Sequence, residues 1–124
     1  MPRFLLSVHV PATDAPGGPA GDVDPAQMME RIEDLERRMR DDDALVSSVR
    51  LGGPDEAAVV DASTSDGAEP TVTDGPYLEA KEIIGGFYVV QAASRDAAIG
   101  WAAETSRAVG LPIEVRPFLD HRDE

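Results

Sequence analysis

Residues 72–92 read VTDGPYLEAKEIIGGFYVVQA, and the way this segment divides decides the topology around it. Asp74-Gly75-Pro76 is turn chemistry: Asp accepts backbone N–H bonds, Gly tolerates unusual dihedrals, and Pro fixes its own φ. The apolar run Phe87-Tyr88-Val89-Val90 reads as a strand from Gly86 to Ala92. Between them lie a charged connection containing Glu79, Lys81 and Glu82, and the pair Gly85-Gly86. Two glycines at a strand entrance fit a β-bulge, or a place where a ligand approaches the backbone. The segment therefore closes one strand and opens another.

Working outward from it, Ala57–Ala62 and Pro70–Thr73 form a hairpin around Ser65-Asp66-Gly67. Leu45–Leu51 has strand period, with Leu45, Ser47, Val49 and Leu51 opposed to Val46, Ser48 and Arg50. Before it, Asp24-Pro25-Ala26-Gln27 carries an N-cap, a first-turn proline and a capping-box partner. Met28, Ile32, Leu35 and Met39 then mark one buried helical stripe, ending at Asp41-Asp42-Asp43. Glu33–Arg37, Asp34–Arg38 and Glu36–Arg40 are i,i+4 pairs worth about 0.3 kcal/mol each. The first strand is Arg3–Val10, with Phe4, Leu6, Val8 and Val10 on one face and Leu5, Ser7 and His9 on the other. Residues 11–23 are a Pro/Gly-rich loop.

Downstream, Ser94 caps a helix over Arg95–Val109 whose stripe is Ile99, Ala102, Ser106 and Val109. Gly110 and Pro112 stop it. Ile113–Phe118 is the last strand, and 119–124 is a flexible tail. The order is β-α-β, a hairpin insertion, then β-α-β: an α+β, ferredoxin-like split β-α-β fold with both helices on one face of an antiparallel sheet. The uncovered sheet face keeps apolar residues, Leu5, Tyr88, Val90 or their neighbours depending on register, so a two-fold homodimer is expected, and two such faces packed together would enclose a cavity.

The chain has 124 residues, which suits one domain. Its 11 Lys plus Arg face 24 Asp plus Glu, a net charge of −13 that repels phosphate backbones and anionic lipid and argues against nucleic-acid and membrane partners. With no cysteine there is no disulfide, thiolate nucleophile or Cys-type metal site. The two histidines, His9 and His121, have no metal-ligand spacing, so neither a metal nor a cofactor is expected. The N-terminal apolar run is too short and too interrupted for a leader peptide, and the expectation is a cytoplasmic protein.

Thr73-Asp74-Gly75-Pro76-Tyr77, followed by Glu79, Lys81-Glu82 and Gly85-Gly86, resembles the YCII-related, or DGPF-domain, family of small bacterial proteins. The closing Ile113-Glu114-Val115-Arg116-Pro117-Phe118 is similar to the family's usual end. The resemblance implies a ferredoxin-like fold assembled as a dimeric α/β barrel. It also implies a regulatory role for some members, which are encoded beside extracytoplasmic-function sigma factors. A distant relative is a dehydrochlorinase, and a His–Asp pair has been proposed as the family's active site. The helix position at which members often carry that His falls on Ile32 here, and Ile32 cannot transfer a proton.

Asp74 is the leading candidate, either as a base or ligand-orienting carboxylate at a barrel mouth, or as a residue that only closes its own turn. His9 could partner it as a proton carrier or stand half-exposed on its strand. Gly75, Pro76, Tyr77, Lys81 and Arg50 are candidate ligand contacts, with a solvated loop and a strand-edge charge as the simpler alternatives. The expected function is a small-molecule-binding or regulatory homodimer. The alternative is a small lyase-like enzyme using Asp74 with His9.

Overall fold

The computed structural model describes residues 1–11, 24–63, 69–75 and 82–119. The expected loop at 12–23, the turn Ser65-Asp66-Gly67, the segment 76–81 and the tail beyond Leu119 lie outside these residues. In chain order the elements are β1 (Arg3–Pro11), α1 (Pro25–Asp41), β2 (Leu45–Arg50), a 3-10 turn (Pro54–Glu56), β3 (Ala58–Asp61), β4 (Thr71–Asp74), β5 (Glu82–Gln91), α2 (Arg95–Val109) and β6 (Ile113–Pro117).

Four strands form one sheet in the order β2-β5-β1-β6, every neighbouring pair antiparallel. Strands β1 and β2 are therefore parallel with β5 between them, and β5 and β6 are parallel with β1 between them. Parallel strands need a long crossover, which is what α1 and α2 supply. The two β-α-β units interleave. β3 and β4 make a separate two-stranded sheet, pairing Ala58 with Asp74 through Asp61 with Thr71. This is the expected hairpin. Its Val60–Val72 cross-strand pair is 62% exposed on both sides.

Asp24 caps α1 by accepting from the Ala26 N–H at 3.1 Å. Among the described residues Gln27 makes no return bond, so the capping box is half formed. Met28, Leu35 and Met39 are buried and Ile32 partly so, as the stripe requires. Asp34 pairs with both Arg37 and Arg38, so Arg37 takes a partner at i−3 and not Glu33. Arg40 reaches Glu36 at 3.3 Å. These pairs are exposed and contribute little. Asp43 adopts a positive φ of 57° and turns the chain into β2, whose entry is held by Gln91 N donating to the Ala44 carbonyl at 2.8 Å.

Ser94 caps α2 through the Ala97 N–H, and Gly110 ends it in the left-handed region. Its inner stripe is Ala98, Ala102, Thr105 and Ala108–Val109, whereas Ile99 is exposed. The helix is rotated by one residue from expectation, because small residues allow its backbone to approach the sheet more closely than Ile99 would. Thr105 satisfies its buried hydroxyl on the Trp101 carbonyl at 2.8 Å. The main core joins Phe4, Leu6, Leu35, Met39, Tyr88 and Val90 to the α2 alanines, and a second cluster joins Val10, Val109 and Leu111. Each fully buried Leu or Met contributes roughly 1.5–3 kcal/mol.

Two register shifts separate the structure from simple alternation. In β2 the pairing passes from Leu45–Val90 to Ser47–Val89, so Val46 is an extra residue. Leu45 consequently shares the helix-side face with Ser48 and Arg50, not with Ser47 and Val49. In β5 the pairing passes from Val8–Gly86 to His9–Ile84, leaving Gly85 as the bulged residue. β5 also starts earlier than expected, at Glu82.

The glycine pair allows close contact here. A Cβ at Gly86 would lie 2.7 Å from the Val49 carbonyl oxygen, and one at Gly85 would lie 3.0 Å from Val10 Cγ1. By contrast, nothing lies within 4 Å of a Cβ at Gly100 in α2. Gly86→Ala is expected to destabilise by about 1–3 kcal/mol, since backbone must shift. Gly100→Ala is expected to stabilise by about 0.5–1 kcal/mol. Urea denaturation of the two variants checks both signs.

Candidate functional site

The sheet surface beneath α1 is not filled evenly. On the helix side of β5 the row is Gly86, Tyr88, Val90, and Gly86 contributes no side chain. The first half of α1 spans this gap with Met28 and Ile32. A pocket of about 120 Å³ remains between them. Its apolar wall comes from Val8 and Val10 of β1, Met28 and Ile32 of α1, Val109 at the end of α2, and Leu111 just beyond it. Glu36, Ser48, Arg50 and Tyr88 supply its polar groups.

Those polar groups are ordered. Tyr88 donates its hydroxyl to Glu36 Oε2 at 2.8 Å, Ser48 donates to the same oxygen at 3.5 Å, and Arg40 holds Oε1 at 3.3 Å. Tyr88 and Ser48 are direct cross-strand neighbours on the helix-side face, which is why both reach one carboxylate on α1. Burial pushes the Tyr88 phenol above its ordinary value of 10.0, and the Glu36 hydrogen bond and negative charge push it further the same way. Tyr88 is therefore a neutral donor at any physiological pH. Glu36 one helical turn beyond Ile32 was missed from sequence, where it reads as half of a surface i,i+4 pair. The sequence reading sets Tyr88 and Val90, or their neighbours, on the uncovered face; their pairing with Leu6 and Phe4 of β1 puts both on the helix side, where they are buried, and leaves Leu5 on the uncovered face.

The expected site residues are distributed as follows. Arg50 lines the pocket, opposite Gly86 in the β2–β5 register. Asp74 is exposed at the end of β4, and Gly75 N–H donates to the Ala57 carbonyl at 2.8 Å, closing the hairpin. His9 lies on the sheet face away from the helices, with Nε2 3.2 Å from the buried Ser7 hydroxyl. Among the described residues no hydrogen bond or ion pair joins His9 to Asp74, and neither lines this pocket. Pro76, Tyr77 and Lys81 lie outside the described residues. Among the described residues no group of three or more His, Asp or Glu could hold a metal ion. Among them, too, no helix is long and apolar enough to cross a membrane.

The family model of the YCII-related domain matches residues 12–119, nearly the whole chain. No curated protein matches it.

The Tyr88–Glu36 bond ties β5 to α1 across 52 residues of sequence. Tyr88→Phe is expected to cost about 0.5–1.5 kcal/mol at neutral pH, rising toward 3 because the acceptor is charged. Since the folded-state phenol value is raised, its stabilisation is fully present below pH 10 and is lost as pH rises beyond it. Unfolding free energies between pH 8 and 11 should fall more steeply in the wild type than in Tyr88→Phe. Parallel curves would remove the bond from the account.

Proposed function

The chain belongs to the YCII-related domain family, and on that footing we propose that it is a small-molecule-binding or regulatory module that works as a homodimer, with the pocket beneath α1 as its ligand site. The observation that carries this is the pocket itself: apolar walls with a few convergent polar groups at one side, the usual composition of a ligand site. Arg50 is its charged contact. Asp74, Gly75, Pro76, Tyr77 and Lys81 stay in the proposal as ligand contacts on the family resemblance alone, apart from the described lining of the pocket. A cytoplasmic setting and a functional link to a sigma factor accord with a protein that binds and signals.

The dimer rests on the sheet. The strand order and the two interleaved crossovers fit a ferredoxin-like split β-α-β unit. Its uncovered face carries Leu5, Val49, Phe87 and Val89, all partly exposed. Packing two such faces would remove that apolar surface from water and yield a dimeric α/β barrel. The second reading, lyase-like acid–base chemistry by Asp74 with His9, requires those two side chains to meet around a substrate, and no contact among the described residues favours it.

Two experiments test the proposal. Neutral apolar probes of one-ring size, toluene and benzyl alcohol, should raise the melting temperature, and Ile32→Trp, which fills the pocket, should abolish the rise; at a hundredfold excess over Kd the gain is about 2.7 kcal/mol. A rise that survives Ile32→Trp places binding elsewhere. For the dimer, sedimentation should give twice the chain mass, and Val89→Glu at the centre of the uncovered face should shift the protein to monomer.

A further inference from the structure

We infer that the ligand is a small organic carboxylate with an apolar body about one ring in size, bound body-first, its carboxylate held at the pocket rim by Arg50. This rests on the ligand-binding reading above and gives it a chemical class.

The charges of the described residues set the polarity. Arg37, Arg38, Arg40 and Arg107 each have a carboxylate partner. Among the described residues Arg50 has none, like Arg31, Arg95 and Arg116, but of these four only Arg50 lines the pocket. It keeps this unpaired guanidinium in a chain carrying 24 acidic residues. Its place is the edge of the pocket, on the same face of β2 as Ser48, and its cross-strand neighbour is Gly86. That neighbour, being glycine, places no side chain beside it. A planar fork of donors matches the oxygens of a carboxylate as it does those of a phosphate, and of the two the smaller, singly charged carboxylate meets less repulsion from a chain of net charge −13.

The other polar side of the pocket sets the direction. Glu36 already accepts from Tyr88, Ser48 and Arg40, which occupies most of the roughly four lone-pair sites of a carboxylate. A second carboxylate placed there would meet like charge with almost no donor left to share. An anion must keep its head at Arg50 and turn its apolar body toward Val10, Met28, Ile32 and Leu111. The size follows from the volume. A dry apolar cavity of roughly 150 Å³ holds a benzene ring, and about 120 Å³ here, open at the rim, takes a ring or a branched aliphatic group with its head outside. Since the net charge of −13 repels anions at a distance, recognition is local to Arg50.

The test compares four probes of one shape on the full chain by ligand-observed NMR titration: benzoate, benzyl alcohol, benzylamine and toluene. Benzoate should bind roughly fivefold more tightly than benzyl alcohol, the factor an exposed ion pair supplies. Arg50→Gln should erase that preference, with a far-UV circular dichroism spectrum matching the wild type showing that the variant is folded. Glu36→Gln should leave benzoate as tight or tighter. Benzylamine binding best, or benzoate binding Arg50→Gln as it binds the wild type, overturns the assignment. Toluene and benzyl alcohol binding without any acid preference overturns it too, yet leaves the pocket as a ligand site. If none of the four binds wild type, the ligand-binding reading falls with it.

Discussion

The close passage of β5 against β2 at Gly86 is the constraint on which the rest depends. A Cβ there would sit 2.7 Å from the Val49 carbonyl oxygen, so the two strands can run at this separation only because glycine occupies the position. The adjacent Gly85 takes up one extra residue and changes the parity of the strand. Beyond it, Ile83 pairs with Val10 and packs into the second core cluster, while Ile84 pairs with His9 and is exposed. Without the bulge those two isoleucines would exchange faces. The same glycine that permits the approach leaves a missing side chain in the row continued by Tyr88 and Val90, and that vacancy is where the pocket lies.

Helix α1 responds to this surface along its length. Its second half places Leu35 and Met39 in the main core, with both fully buried. Its first half lies over the glycine pair, where Met28 and Ile32 meet a wall with fewer side chains to pack against. Between the halves, Glu36 accepts the Tyr88 hydroxyl. A buried phenol without an acceptor would be costly, and a carboxylate on α1 meets that need while facing partly outward. One contact thus fixes the helix at the point where its packing changes from dense to open.

How far the fold was legible in the sequence follows from which signals are local. Both helix starts could be read because Asp24 and Ser94 act on N–H groups two and three residues away. The hairpin, the strand segments and the α1 stripe were likewise within reach of short-range pattern. The bulges at Val46 and Gly85 were not, since an inserted residue shifts every later side chain and alternation cannot locate the insertion; the glycine pair raised it for β5, and nothing raised it for β2. The α2 stripe was misplaced because a helix of many alanines has little polarity around its circumference, so Ile99 attracted the assignment that Ala98 and Thr105 hold. Glu36–Tyr88 was invisible because its partners are 52 residues apart.

That missed contact bears on the difference between binding and turnover. The family resemblance sets a histidine at the position of Ile32, which lines the pocket here as an apolar wall. The nearest ionisable group along α1 is Glu36, and it is held by two hydroxyl donors and a guanidinium. A base for proton transfer needs a free lone pair aimed at its substrate and a proton affinity close to the working pH. Glu36 has its lone pairs largely occupied, and Tyr88 is pushed away from neutral pH in the direction that keeps its proton. Among the described residues lining the pocket, the charged group left for the proposed ligand is Arg50, which always carries its charge and exchanges no proton. Apolar walls, an occupied carboxylate and an unpaired guanidinium are thus the grounds on which the proposal for this pocket is binding and not proton transfer.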